Sequence, residues 1–469
     1  MSGRAGGIDL TSGPLGGGIA RVAWPLMLSS LLQTLYNLAD TYWLGKLGRT
    51  ALVAPTVTMN VVFVAMSLGM GLSVGGTALV SQYRGAGNLR MMRRSGGQTM
   101  MLMEMGAVLI SVTAIVLARP VLGLLGTPAD SFAYTLSYFR IIAAGLPFMF
   151  GFFAYRAIFT GIGHTVRPLR VNLIAVLVNV ILDPVLIFGL GPFPRMEVAG
   201  AALATCIARA LATALGLADM FSIRGGFGLK ARHLVPHGPT IAKVFRVGLP
   251  VGLGRSGTSL GFTVLIGIVN SFGSAVTAAF GIANRIVHMA VIPGHGLAQA
   301  TGASVGQNLG AGATQRASRT VRLALGMILS FFLPATILMF LFGADISKIF
   351  IDDPQVISHG REVFRFVSPS VLVFGVFMVL TGAFQGSGHT LPVMVLNMSR
   401  LWLVRLPGAL LFARALGMGP SGIWLAMLVS NTVTAAAAAV WFSRGTWKRA
   451  VIERAERGGR AGLPKEPAT

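Results

Sequence analysis

The chain has 469 residues, of which 54% are hydrophobic and only 11% charged, and it carries a net charge of +24. Soluble domains carry about a quarter charged residues, so this composition excludes a cytosolic enzyme, a disordered protein and a secreted disulfide scaffold. Cys206 is the lone cysteine, which leaves no disulfide framework or Cys-based zinc site, and the basic residues sit between apolar runs, where they read as membrane topology rather than nucleic-acid binding.

A spanning helix needs roughly 20 apolar residues. Twelve runs qualify, at 19–44, 54–80, 97–118, 133–158, 168–190, 198–221, 244–270, 275–303, 321–343, 363–384, 391–413 and 419–442. They predict an all-α polytopic membrane protein; strict apolar/polar alternation, the mark of an outer-membrane barrel, is absent. The 61 glycines suit helices packed closely in lipid. Lys and Arg are denser in the even-numbered loops (Arg84, Arg90, Arg93, Arg94, then Arg316, Arg319, Arg322 among them) and in the tail after Phe442 than in the odd-numbered loops. That asymmetry puts both termini in the cytoplasm of a bacterial-type inner membrane. Residues 1–18 show no cleavable signal pattern and are read as a cytoplasmic tail. An N-lobe at 19–221, a linker at 222–243, a C-lobe at 244–442 and a basic tail at 443–469 follow.

In chain order, span 1 carries Pro25 and then a polar stripe at helical spacing, Gln33, Tyr36, Asn37 and Asp40. Span 2 carries Met59, Met66 and Met70, a soft wall able to accept varied apolar ligands. Span 3 holds Glu104 among methionines. Arg140 and Arg156 lie in or near span 4. Span 5 places Asn172, Asn179 and Asp183 on one face, and Pro184 follows, removing a backbone donor and freeing a carbonyl. Span 6 offers the Thr205 hydroxyl and Arg209. Asp40, Glu104 and Asp183 are the acidic residues deep within spans, and a charge at mid-membrane costs about 2.5–3.5 kcal/mol on insertion scales, so such residues face a cavity and act there. Two carboxylates with nearby neutral oxygens make a proton-binding pair or a site for a hard cation such as Na⁺. In the C-terminal half the intramembrane charges are basic: Arg255, Arg285, Arg400 and Arg405. Most such arginines read as snorkelling or packing residues, with Arg400 the one expected to face the cavity. His164 and His389 read as turn residues.

A shift of 225 residues superposes the two halves. Pro25 falls on Pro250, Gly48 on Gly273, Gln82 on Gln307, Gly85-Ala86-Gly87 on Gly310-Ala311-Gly312, and His164-Thr165 on His389-Thr390. With an even number of spans per half, this is a parallel repeat, two pseudo-symmetric six-helix lobes around a central cavity. Pro25 and Pro184 are candidate hinges.

These motifs resemble the multidrug and toxic compound extrusion family. The resemblance rests on Leu35-Tyr36-Asn37-Leu38-Ala39-Asp40, on Gln82-Tyr83-Arg84-Gly85-Ala86-Gly87 with its partner Gln307-Asn308-Leu309-Gly310-Ala311-Gly312, on Asn179-Val180-Ile181-Leu182-Asp183-Pro184 and on Gly200-Ala201-Ala202-Leu203-Ala204-Thr205. It covers about residues 15–445 and is nearest to the damage-inducible-type branch. It implies export of cationic or amphipathic compounds by antiport with H⁺ or Na⁺, with no further cofactor, no enzymatic reaction and no nucleic acid, by a monomer. It implies a cation-coupling site at Asp40, Asn179, Asp183 and Thr205, with Tyr138 nearby. Gln33, Tyr36, Asn37, Asn172, Glu104 and Arg400 are candidate neighbours of substrate or cation. The alternative is a flippase for lipid-linked saccharides, which would need Arg255, Arg285 and Arg400 to converge on the cavity.

Overall fold

A computed structural model of the chain describes residues 7–222 and 227–452. Arg224 and the basic residues beyond 452 lie outside that range. Lipid offers no partners for backbone N–H and C=O groups, so long apolar runs close their hydrogen bonds internally as helices. The helices are α1 (Leu15–Gly45), α2 (Arg49–Gly85), α3 (Leu89–Val116), α4 (Ala118–Leu124), α5 (Phe132–Ala144), α6 (Leu146–Gly161), α7 (Val166–Phe188) and α8 (Glu197–Phe221) in the first half. The second half holds α9 (Gly238–Asn270), α10 (Ser274–Gly310), α11 (Thr314–Leu341), α12 (Gly343–Phe350), α13 (Pro354–Ser387), α14 (Leu391–Met398), α15 (Leu406–Leu410) and α16 (Pro420–Ser443). No strand occurs among the described residues.

Among the described residues ten helices are long and apolar enough to cross a bilayer alone. An eleventh span is the pair α5–α6, bent by 42° at Gly145, where Pro147 opens the second segment without a donor. The twelfth expected run, 391–413, is helical throughout Leu391–Ala415 but alternates: π-helical turns at Ser399–Arg405 and Leu411–Ala415 flank α15. Pro25 and Pro184 lie inside α1 and α7, and both helices run on through them. Large apolar side chains such as Leu109, Val116, Leu124, Ile181 and Leu403 stand exposed, as a lipid-facing surface requires.

The repeat is visible in the backbone. Gly48 (φ 107°) precedes α2 and Gly273 (φ 103°) precedes α10 at equivalent positions, a conformation that a side chain would strain. The short helices α4 and α12 begin 225 residues apart. The symmetry lapses where α5–α6 bends and α13 does not, and where the π turns interrupt the partner of α7.

Among the described residues two large apolar cores form, one mainly from each half, with a small third cluster at Ala118, Leu122 and Phe139. The first half of α1 (Ile19, Val22, Ala23, Leu26) packs into the C-terminal core, and Val244 at the start of α9 packs into the N-terminal one. The lobe divide expected at the linker is therefore crossed by the first helix of each half. Small residues allow the crossings: a Cβ on Gly71 would sit 2.5 Å from the Gly252 backbone, and one on Gly296 2.6 Å from Met27. The linker lies along α3, where Gln98 Nε2 donates to His233 O (2.7 Å) and Val235 O (2.8 Å), and Arg93 donates to Phe227 O.

At the end that carries both tails the lobes are clasped. Gln82 Nε2 donates to Gly386 O (3.1 Å) and Ser387 O (3.0 Å); its counterpart Gln307 donates to Gly161 O (2.9 Å). Each Oε1 accepts from a tail: Leu10 N donates to Gln307 and Val451 N to Gln82. The N-terminal tail is fixed further by Ile8 N to Gly163 O and by Arg316, which donates to the carbonyls of Leu10, Ser12 and Gly13. Burial alone would raise the Asp9 carboxyl in this tail, but hydrogen bonds from Thr11 and Ser12 and the charge of Arg84 hold it below the usual carboxylate value.

Candidate functional site

α1, α7 and α8 bring the expected coupling residues together. Asp183 is fully buried and Asp40 is 8% exposed. Asn179 Nδ2 donates to Asp183 Oδ1 (3.2 Å), the i, i+4 contact that one helical face allows. Tyr36 and Thr205 share a hydrogen bond of 2.8 Å between α1 and α8. The two carboxylates are close enough to interact electrostatically, and buried Tyr138 lies within reach of both. Three acceptors in this group, Asp40 Oδ1, Asn179 Oδ1 and Asp183 Oδ2, are buried with no hydrogen-bond partner among the described residues. An unmet buried acceptor costs about 1–3 kcal/mol, more when charged. The chemistry of this cluster, two carboxylates with amide and hydroxyl oxygens, suits H⁺ or a hard monovalent cation. No group of three or more His, Cys, Asp or Glu suited to a metal occurs among the described residues.

Next to this cluster lies a cavity of about 350 Å³ between the two halves. Gln33, Asn37 and Asn172 line it, and neither Asp40 nor Asp183 does. Met66 and Met70 line it and Met59 does not. A polar chain connects the two places: Arg209 Nη2 donates to Gln33 Oε1 (2.7 Å), Gln33 Nε2 donates to Asn37 Oδ1 (3.1 Å), and the Arg209 guanidinium stacks 5.1 Å from the Tyr36 ring that also bonds Thr205.

Two expected neighbours are elsewhere. Glu104 packs beside Gly151, where an added Cβ would lie 2.5 Å from its Oε1, and does not line the cavity. Arg400 is buried within the C-terminal half, 4.7 Å over the Phe374 ring and hydrogen-bonded to Asn431, so it does not face the cavity as expected. Its position on the interrupted helix turns it toward α13 and α16. Arg285 does not line the cavity either, so of the three arginines needed for a flippase pocket only Arg255 is there. His164 and His389 occupy equivalent loops, and burial pushes both imidazoles below their ordinary value.

Basic residues, of which only Arg255 was expected here and only under the flippase alternative, gather at this cavity. Arg156, Arg209 and Arg255, with His288 and His295, line it together. The signal in the sequence was faint: His288, Ile292, His295 and Gln299 recur along one face of α10, and each arginine interrupts an apolar run.

The family model of MatE matches residues 25–185 and again 250–411. The chain is 27% identical over 441 residues to a probable multidrug resistance protein of Bacillus subtilis, YpnP, covering 94% of this chain and 97% of that one. It is 26% identical to a protein of Shewanella oneidensis named FAD transporter, over 90% and 93% of the two chains. A solved multidrug resistance MATE family transporter of the MOP superfamily in an outward-facing conformation superposes with a TM-score of 0.88 at 23% identity, covering 95% of this chain and 98% of that one.

Proposed function

The chain belongs to the MatE family, the multidrug and toxic compound extrusion transporters, and on that premise we propose that it exports amphipathic small molecules by antiport with H⁺ or Na⁺ through the Asp40–Asp183 pair. The observation that carries this is the trio of buried, partnerless oxygens on Asp40, Asn179 and Asp183. A proton or Na⁺ bound there removes charge from the group; Tyr36, Thr205 and Arg209 relay that change to Gln33 and Asn37 at the cavity wall. A bound ligand moves the lobes only by its differential affinity for the two states, so the pair acts as the switch and the cavity as the load. The protein works as a monomer in a bacterial-type plasma membrane, with both tails cytoplasmic and no catalytic reaction. The name of the Shewanella relative refers to a phosphate-bearing cargo, so the family name does not by itself make the cargo a cation.

The test is efflux from proteoliposomes under separately imposed pH and Na⁺ gradients. Wild type should respond to one of them, and Asp40→Asn and Asp183→Asn should lose that response while reconstituting normally. Full gradient-driven transport by either variant assigns that residue a structural role. Cysteines placed at Arg232 and Asp130, with Cys206 replaced, should label from opposite sides of the membrane; labelling from one side overturns the topology.

A further inference from the structure

We infer that the central cavity binds organic anions: an amphipathic molecule whose carboxylate or phosphate head engages Arg255 and Arg156 and whose apolar body rests on the Met and Phe wall. This names the cargo of the site proposed above and rests on that reading. Three guanidinium groups, permanently charged at any physiological pH, line one cavity. No Asp or Glu is among the described residues that line it. None of the three forms a salt bridge among the described residues; Arg156 donates to Gln299 Oε1 (3.0 Å) and Arg209 to Gln33 Oε1 (2.7 Å), both neutral acceptors. Arg156 is within electrostatic reach of both Arg209 and Arg255, so the three charges repel one another across a medium less polar than bulk water.

A packing role explains Arg209, which is 7% exposed, bonded and stacked on Tyr36. It does not explain Arg255. That side chain is exposed and lines the cavity, and its one polar contact among the described residues is a 3.6 Å approach of Nη1 to the Met70 sulfur, a weak acceptor. Its donors are free for a ligand, and a guanidinium grips a planar carboxylate or a phosphate with two parallel hydrogen bonds. His288 and His295 line the same cavity and add donors. Met66, Phe152, Phe153 and Ile292, which line the same cavity, supply apolar surface for the body of the molecule. An organic cation in this cavity would meet three like charges and no counter-charge.

The experiment uses three probes with one body: pyrenebutyrate, pyrenebutanol and pyrenebutyl-trimethylammonium. Binding is read from pyrene fluorescence with the full-length protein in nanodiscs, empty nanodiscs serving as the blank. The anion should bind about tenfold or more tighter than the alcohol, the cation weaker than both, and salt should weaken the anion alone. Arg255→Gln should abolish that preference, and Arg255→Lys should retain part of it, which separates charge from folding. Arg255→Glu should invert it. Cation binding equal to or tighter than anion binding, or an unchanged anion preference in Arg255→Gln, overturns the inference. Because the readout is binding, its failure leaves gradient-driven export standing, and anion binding without gradient-driven movement overturns the transport reading alone.

Discussion

Asp40 and Asp183 are set apart from other acidic residues by their surroundings: each has an oxygen buried without a donor among the described residues, and Asp183 accepts from Asn179. Replacing a carboxylate by an amide there keeps the shape and removes the charge change, so transport should stop while the fold survives. The neutral oxygens contribute less. Asn179→Ala and Thr205→Ala should each reduce gradient dependence in the proteoliposome assay by about tenfold rather than abolish it, since each removes one hydrogen bond or one neutral ligand; a loss as complete as that of Asp183→Asn would make them essential ligands. The carboxylates were legible in the sequence because an acid inside an apolar run carries a large cost and therefore a reason. The arginines were not. A snorkelling arginine and a cavity arginine interrupt an apolar run identically, and Arg156, Arg209 and Arg255 come from α6, α8 and α9, which meet only after folding. Arg400 illustrates the converse error: its central place in a span suggested the cavity, but the aromatic rings of α13 and the amide of Asn431 satisfy it elsewhere.

The element carrying Arg400 departs most from the regular pattern. No glycine or proline marks Ser399–Arg405, and nothing in its run of helix formers announces π-helical turns. What distinguishes it is the polar contact it makes: Arg405 donates to Ser430 Oγ (2.9 Å) and Asn431 Oδ1 (2.6 Å), and Asn431 Nδ2 donates to Ser370 Oγ (2.6 Å). Asn431→Leu would leave both guanidiniums short of an acceptor and should lower stability by about 1.5–3 kcal/mol, seen as a fall in thermal unfolding temperature in detergent; an unchanged Tm would show that the π turns hold without this amide. At the clasped end, α2 and α10 meet through glycines. A Cβ on Gly85 would lie 1.8 Å from Gln307 O, and one on Gly310 1.9 Å from Gln82 O. Both obstacles are backbone atoms, so Gly85→Ala and Gly310→Ala should each force the lobes apart at the end that carries the tails. In a Cys206→Ala background, a cysteine at cavity residue Ser73 should then label faster from that side. Equal rates would mean that the close approach is absorbed locally. The repeated Gly-Ala-Gly tripeptides marked these two places as equivalent in the sequence but not that each meets the other half, which a fixed shift does not tell. The crossing of α1 and α9 between the two cores was not legible, since apolar periodicity tells that a face is buried and not in which lobe.

For the whole molecule, the charge of the cavity sets the electrical character of transport. Each glutamine of the clasp holds both a tail and the opposite lobe, so opening that end would cost Gln82 and Gln307 those partners. With a cationic cargo, cargo and coupling ion would exclude each other by competing for negative charge. With an anionic cargo they attract, so exclusion must come from the lobes, which close around one ligand at a time. The electrical consequence differs just as sharply. Exchange of an organic cation for one H⁺ moves no net charge. Exchange of a monovalent anion outward for one H⁺ inward moves two charges in the same direction, and a potential negative inside drives both, at about 2.3 kcal/mol per charge for each 100 mV. Proteoliposomes loaded with pyrenebutyrate should therefore release it faster when valinomycin and a K⁺ gradient make the interior negative, at constant pH difference, and more slowly when the interior is positive. Asp183→Asn should lose this response along with the response to pH, because without the switch the lobes have no cycle for the potential to drive. Release that ignores the potential while still following the pH gradient would mean an electroneutral exchange, which an anionic load exchanged for one H⁺ cannot give, and it would overturn the anion-for-proton exchange.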